Sequence, residues 1–119
     1  MTLESLPSQI VVGYQTVGVY VDEMIPASNV AAYSAAHSRI HIDSSAHHTN
    51  EDIVNSVIHE VLHACFYTSN LSRLDPGEHE EMTVTMLANS LTQVFRDNPD
   101  FLDWVRFSIE KTNCSQKQN

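Results

Sequence analysis

A chain of 119 residues, 42% apolar and 18% charged, has the material for one modest core and not for two. Its net charge of −9, with six Lys and Arg residues spread along the chain, argues against phosphate contacts and so against nucleic-acid binding. No basic leader precedes an apolar run and no stretch is long and apolar enough for a bilayer, so the expectation is a soluble, cytoplasmic protein without a membrane partner.

Residues 1–8 are polar with one proline and read as poorly ordered. Residues 9–21 (QIVVGYQTVGVYV) are rich in β-branched and aromatic side chains. They read as one long strand, or as two bent at Gly13 or Gly18. A polar, proline-containing connection over 22–29 follows, and then 30–36 (VAAYSAA), which fits helix or strand equally. Arg39–Asp43 alternates, with Ile40 and Ile42 on one face and Arg39, His41 and Asp43 on the other, the pattern of a half-buried strand. After a polar loop over 44–48, Thr49 with Asp52 three residues on forms a capping-box start, and Glu51 and Asp52 suit the positive end of a helix dipole. This helix should run to about Tyr67 and stop near Asn70, a residue that tolerates a left-handed C-cap. Asp75-Pro76-Gly77 marks a turn, a second helix spans about 78–96, and Asn98-Pro99 opens a third that runs to about Lys111. The polar tail from Thr112 should fray. The order predicts a single α+β domain over 1–119: a small N-terminal sheet followed by three helices.

Near the end of the first helix stands His59-Glu60-Val61-Leu62-His63, an H-E-x-x-H motif. Residues four apart lie one turn apart on the same helix face, so both imidazoles reach one metal ion. Glu60 sits beside that face, placed to take a proton from an activated water; zinc metallopeptidases use this arrangement. From this chain's own composition, chance alone produces the motif in roughly a few per cent of shuffled sequences. The helical context lowers that further. Ile53, Val54, Val57, Ile58, Val61, Leu62 and Cys65 form one apolar arc, and both histidines fall outside it, whereas core histidines would fall inside. The plainer alternative is a pair of surface histidines on an amphipathic helix. Cys65 reads as a small buried hydrophobe, and two cysteines without a C-x-x-C pair demand no disulfide.

A catalytic zinc needs a third protein ligand and one open position. Glu78, His79, Glu80 and Glu81 open the second helix. If the Val84 face turns toward the first helix, Glu80 extends that face one turn earlier and is the preferred ligand. Glu81 then orients a histidine from behind. A rotation by one helical position exchanges the two, and His79 is a further alternative. Two acids at a helix N-terminus are also explained by the dipole alone.

The strings HEVLHACFYTSNL and EEMTVTMLANSLTQVFRDNPDF, with a Glu on the next helix about seventeen residues after the motif, resemble the gluzincin branch of the zincin metallopeptidases. They are similar to small zincin-like proteins commonly encoded by bacteriophages and, more loosely, to ImmA/IrrE-type metallopeptidases. The resemblance covers about 39–101. It implies a compact zincin-like fold, with His59, His63 and Glu80 or Glu81 on Zn2+ and Glu60 as general base. It also implies that the strand before the motif helix, Arg39–Asp43, is a sheet edge pairing with an extended peptide substrate. Arg39 and His41 would then face that substrate. Tyr67, one turn after His63, and His79 are the candidates to meet the oxyanion, and packing at the end of the helix is the plainer role for Tyr67. The E-x-x-x-D pattern of many gluzincins is absent, Val84 and Thr85 standing where the Asp would fall.

The leading expectation is therefore zinc-dependent hydrolysis of a peptide bond in a peptide or protein substrate, in a host cytoplasm if the chain is phage-encoded. The first alternative is a small acidic interaction or inhibitor protein with a structural zinc and no catalysis. The second is a metal-free domain in which the motif is accidental.

Overall fold

The 9–21 stretch folds as two strands, β1 (Gln9–Val12) and β2 (Gln15–Asp22), which turn back on each other at Gly13. Gly13 holds φ at +58°, and a Cβ there would lie 2.9 Å from the Thr68 side chain at the end of the motif helix. The turn thus needs glycine twice, for its left-handed backbone and for the close approach. The computed structural model describes residues 3–22, 30–45, 49–74 and 78–118. Within these, the ambiguous VAAYSAA stretch contains a strand, β3 (Ala31–Ser34), and the alternating RIHID stretch is β4 (Arg39–Asp43).

The four strands form one sheet in the order β1-β2-β4-β3. β1 pairs antiparallel with β2, β2 parallel with β4 (Val19 opposite Ile40), and β4 antiparallel with β3 (Ile40 opposite Tyr33). This corrects one expectation. β4 is a central strand, its main chain paired on both sides, and among the described residues the edge next to it is β3, with β1 at the far edge. The fully buried Ile40 and Ile42 suit that central place.

The inner face of the sheet, with Val12, Val17, Ile40 and Ile42, packs on α1 (Asn50–Thr68) through the fully buried Ala64. Residues 3–8 are tied to this core: Leu3 and Leu6 pack against it, and Ser8 O accepts the Val19 N–H at 2.8 Å. Thr49 caps α1 by accepting the Asp52 N–H at 3.1 Å, and Asn70 just past its end takes φ of +67°. Both follow the expected capping chemistry.

The connector adds a single helical turn, α2 (Leu71–Leu74), while Asp75-Pro76-Gly77 and the loop histidines His47 and His48 lie outside the described residues. α3 (Glu78–Asp97) covers the other side of α1, with Val84 and Ala88 fully buried. Asn55 Nδ2 donating to Asn89 Oδ1 at 2.8 Å and Arg96 facing Glu51 at 3.2 Å fix the register of the two helices. α4 (Pro99–Gln118) follows after Asn98 and continues past Lys111, where the sequence suggested a frayed tail. Among the described residues, no helix is long and apolar enough to cross a membrane.

Candidate metal centre

One turn of α1 brings the His59 and His63 rings together, edge to face, with centroids 4.9 Å apart. Their Nε2 atoms stand 3.2 Å from each other. From the start of α3, Glu81 Oε1 reaches both, at 2.7 Å from His59 Nε2 and 3.5 Å from His63 Nε2. Ligand atoms about 2.0–2.1 Å from a tetrahedral zinc lie about 3.3 Å from one another. The three separations bracket that value, so His59, His63 and Glu81 fit one such ion without rearranging the backbone. Among the described residues, this group has three members, the number that leaves one position open.

The preferred third ligand from sequence, Glu80, is placed differently. It does face inward, half-buried, but it meets the back of His63: Oε2 lies 2.8 Å from Nδ1. An ionised carboxylate only accepts, so Nδ1 carries the proton and Nε2 presents its lone pair to the cluster. Ser72 of α2 donates to Glu80 Oε1 at 2.9 Å and holds the carboxylate in place. Glu81, the alternative from sequence, is thus the acid that stands with the two Nε2 atoms, and Glu80 stands behind the His63 ring. His79 is exposed and outside the group.

Glu60 is the buried acid of the site, 7% exposed. Burial raises its carboxyl pKa from 4.5 to about 7, against the pull of His63; Glu81 pushes it further up, and the Tyr33 backbone N–H stabilises the ionised form. That N–H belongs to the edge strand β3. Val30 O accepts the Asp43 N–H at 2.9 Å, which turns the main-chain groups of residues 30, 32 and 34 toward β4. The groups of Ala31 and Tyr33 therefore point off the sheet, and the Tyr33 N–H finds Glu60. Burial also lowers the pKa of His59, opposed by Glu81, which favours the neutral ring a metal requires.

These groups open on a cavity of about 590 Å³. Ala31 and Tyr33 of β3 form one wall, His59, Glu60 and His63 of α1 the floor, and Tyr67 lies at one end. Tyr67 shares a hydrogen bond with Tyr14 of the β1–β2 turn. Tyr33 is braced separately, its hydroxyl donating to Gln15 Oε1 at 2.6 Å and Gln15 Nε2 to Ala35 O at 3.1 Å. Arg39 and His41 are not in this wall. They lie on the opposite face of the sheet, where the Arg39 guanidinium sits 5.2 Å from the Tyr20 ring and His41 stacks on it at 5.3 Å. Alternation along β4 dictates this, because Ile40 and Ile42 take the face turned toward α1.

Sequence reasoning missed Tyr33 and Ser72. The only signal for Tyr33 was its place in an ambiguous apolar stretch, and Ser72 lies in a connector with no predicted structure. No family model, curated protein or solved structure matches this chain.

Proposed function

We propose that this protein is a zinc-dependent hydrolase of peptide bonds with a zincin-like fold, His59, His63 and Glu81 holding the ion and Glu60 serving as general base. The observation that carries this reading is the convergence of two imidazole nitrogens and one carboxylate oxygen beside a cavity whose floor holds a buried, proton-hungry glutamate. A purely structural ion has no use for that glutamate or for the open space.

When bound, zinc supplies a Lewis acid that makes water acidic near neutral pH and polarises a carbonyl under attack. The remaining work falls to the chain's own residues. A carboxyl with a pKa near 7 is balanced between accepting a proton from water and returning it to a leaving amine, the match general acid–base catalysis favours. The Tyr33 N–H holds that carboxylate against the wall of the groove. Glu80, backed by Ser72, keeps the His63 ring in one tautomer and one orientation. The outward main-chain groups of Ala31 and the Tyr33 carbonyl pair with an extended peptide by strand addition, which lays its scissile bond along the α1 floor.

Glu60→Gln is the test. The variant should retain the zinc content of the parent while losing at least a hundredfold in turnover of a mixed peptide library. Tight zinc binding by the parent with no peptide cut would sink the hydrolase reading.

A further inference from the structure

The edge of β3 is not open along its whole length, and the groups it leaves open decide how a peptide can sit on it. Pairing with β4 turns the main-chain groups of Ala31 and Tyr33 outward. Among the described residues, no strand pairs with Ala31 on that side. At Tyr33 the N–H is already taken by the Glu60 carboxylate, which leaves the carbonyl. At Ala35 the edge ends: its C=O accepts Gln15 Nε2 at 3.1 Å and the Ser38 N–H at 3.4 Å, closing the β3–β4 turn. The buried Gln15 also accepts the Tyr33 hydroxyl at 2.6 Å and pins that end of the strand. The same end is the Tyr67 end of the groove, because Gly13 abuts Thr68 at the close of α1 and Gln15 follows two residues later. An extended chain laid along this edge therefore meets the N–H and C=O of Ala31 and the C=O of Tyr33.

We infer that a peptide adds antiparallel to β3 with the residue whose carbonyl is attacked opposite Tyr33 and the second residue after the cleaved bond opposite Ala31. Main-chain recognition then falls on the C-terminal side of the cut. This rests on the hydrolase reading above and gives it a substrate class: peptides reaching at least two residues beyond the bond, with no required length ahead of it. The register follows from Glu60. In an antiparallel ladder the residue opposite Tyr33 gives its N–H to the Tyr33 carbonyl and expects the Tyr33 N–H for its own. Glu60 holds that N–H, so this peptide carbonyl faces a carboxylate where its neighbours along the strand would find a donor. Two acceptors side by side need a water between them, and Glu60 is the base placed to take that water's proton. The carbonyl without a ladder partner is therefore the one that reacts. An antiparallel chain runs from the Ala35 end toward Ala31, so the residue that exchanges both bonds with Ala31 comes after the cut. Ahead of the cut the peptide runs toward Tyr67 past the closed turn, where the edge has no main-chain group to give. Parallel addition would split the two groups of Ala31 between different residues, is weaker per residue, and would place the Ala31 contacts ahead of the bond.

N-methyl scanning of an octapeptide cut at its central bond tests this register, with turnover read on the zinc-loaded parent and binding read by calorimetry on zinc-loaded Glu60→Gln. Methylation of the second residue after the bond removes the N–H that Ala31 C=O would accept. It should raise KM in the parent and Kd in the variant about tenfold, with kcat within about threefold. Methylation of the second or third residue ahead of the bond should change either constant by no more than about twofold. Deleting everything from the second residue after the bond onward should cost the parent about tenfold or more in kcat/KM, and Ala31→Pro several-fold less, because that variant has already lost one of the two contacts. A merely loosened edge would not show this coupling. Cleavage with the losses falling ahead of the bond, or with no coupling to Ala31→Pro, overturns the register and leaves the hydrolase reading intact. Binding to Glu60→Gln with two sensitive N–H groups two residues apart, and no cleavage by the parent, upholds the edge contacts and sinks the hydrolase reading instead.

Discussion

Glu60→Gln should make the metal-free protein more stable at the same time as it abolishes catalysis. The buried carboxyl has a pKa of about 7 in the folded chain and 4.5 as an ordinary glutamate. Between those values the folded state binds more protons than the unfolded state, so stability falls as pH rises through this window. The difference amounts to about 3 kcal/mol at pH 7–8 and vanishes below about pH 4.5. Gln keeps the shape and an oxygen to accept the Tyr33 N–H but cannot ionise. In chelator-treated protein, urea unfolding of the variant should therefore show about 2–3 kcal/mol more stability than the parent at pH 8, shrinking toward nothing near pH 4.5. Subtracting variant from parent cancels the other titrating groups. Equal pH slopes for the two proteins would refute the argument, because they would mean that Glu60 is solvated or fully paired without the metal. A gain of this size marks a residue kept for function at the expense of stability.

Three further outcomes follow from the geometry. Glu81→Ala should abolish tight zinc binding, whereas Glu80→Gln should weaken it about 10–100-fold by freeing the His63 tautomer; competition against a chromophoric chelator orders the two, and the reverse order would restore Glu80 as the ligand. Arg39→Ala and His41→Ala should leave peptide turnover within about twofold, because both side chains lie beyond the sheet from the cavity, and a larger loss in steady-state assays would contradict that placement. Ala31→Pro removes an outward N–H and no ladder bond, so KM for peptides should rise several-fold while circular dichroism is unchanged; an unaltered KM would deny β3 its part in binding.

The parts of the site readable from sequence are those that depend on one element. Helical period alone put His59 and His63 together outside the apolar arc and Glu60 beside their face, but it did not foretell that Glu60 would be buried. The capping residues Thr49 and Asn70 were readable for the same local reason. What failed needed a relation between elements. Alternation in RIHID announces one buried and one open face, but no periodicity distinguishes a central strand from an edge. The parallel pairing of β4 with β2 joins residues 21 apart, as Val19 and Ile40, which local pattern does not encode.

The two glutamates show the same limit at atomic scale. The Val84 face of α3 does turn toward α1, and Glu80 extends it as expected. But facing a helix does not decide which nitrogen of a ring an acid meets. That depends on how far α3 is displaced along α1, which the unforeseen α2 turn and Ser72 help to set. With α3 at this height, the inward acid lands behind His63, and the more exposed one, its Oε1 accepting from Thr85 one turn on, stands beside both Nε2 atoms. A shift of one turn along α1, about 5.4 Å, would change which nitrogen each acid reaches. The identity of the third ligand is therefore a property of how two helices dock, and H-E-x-x-H with an E-E pair seventeen residues on leaves it open.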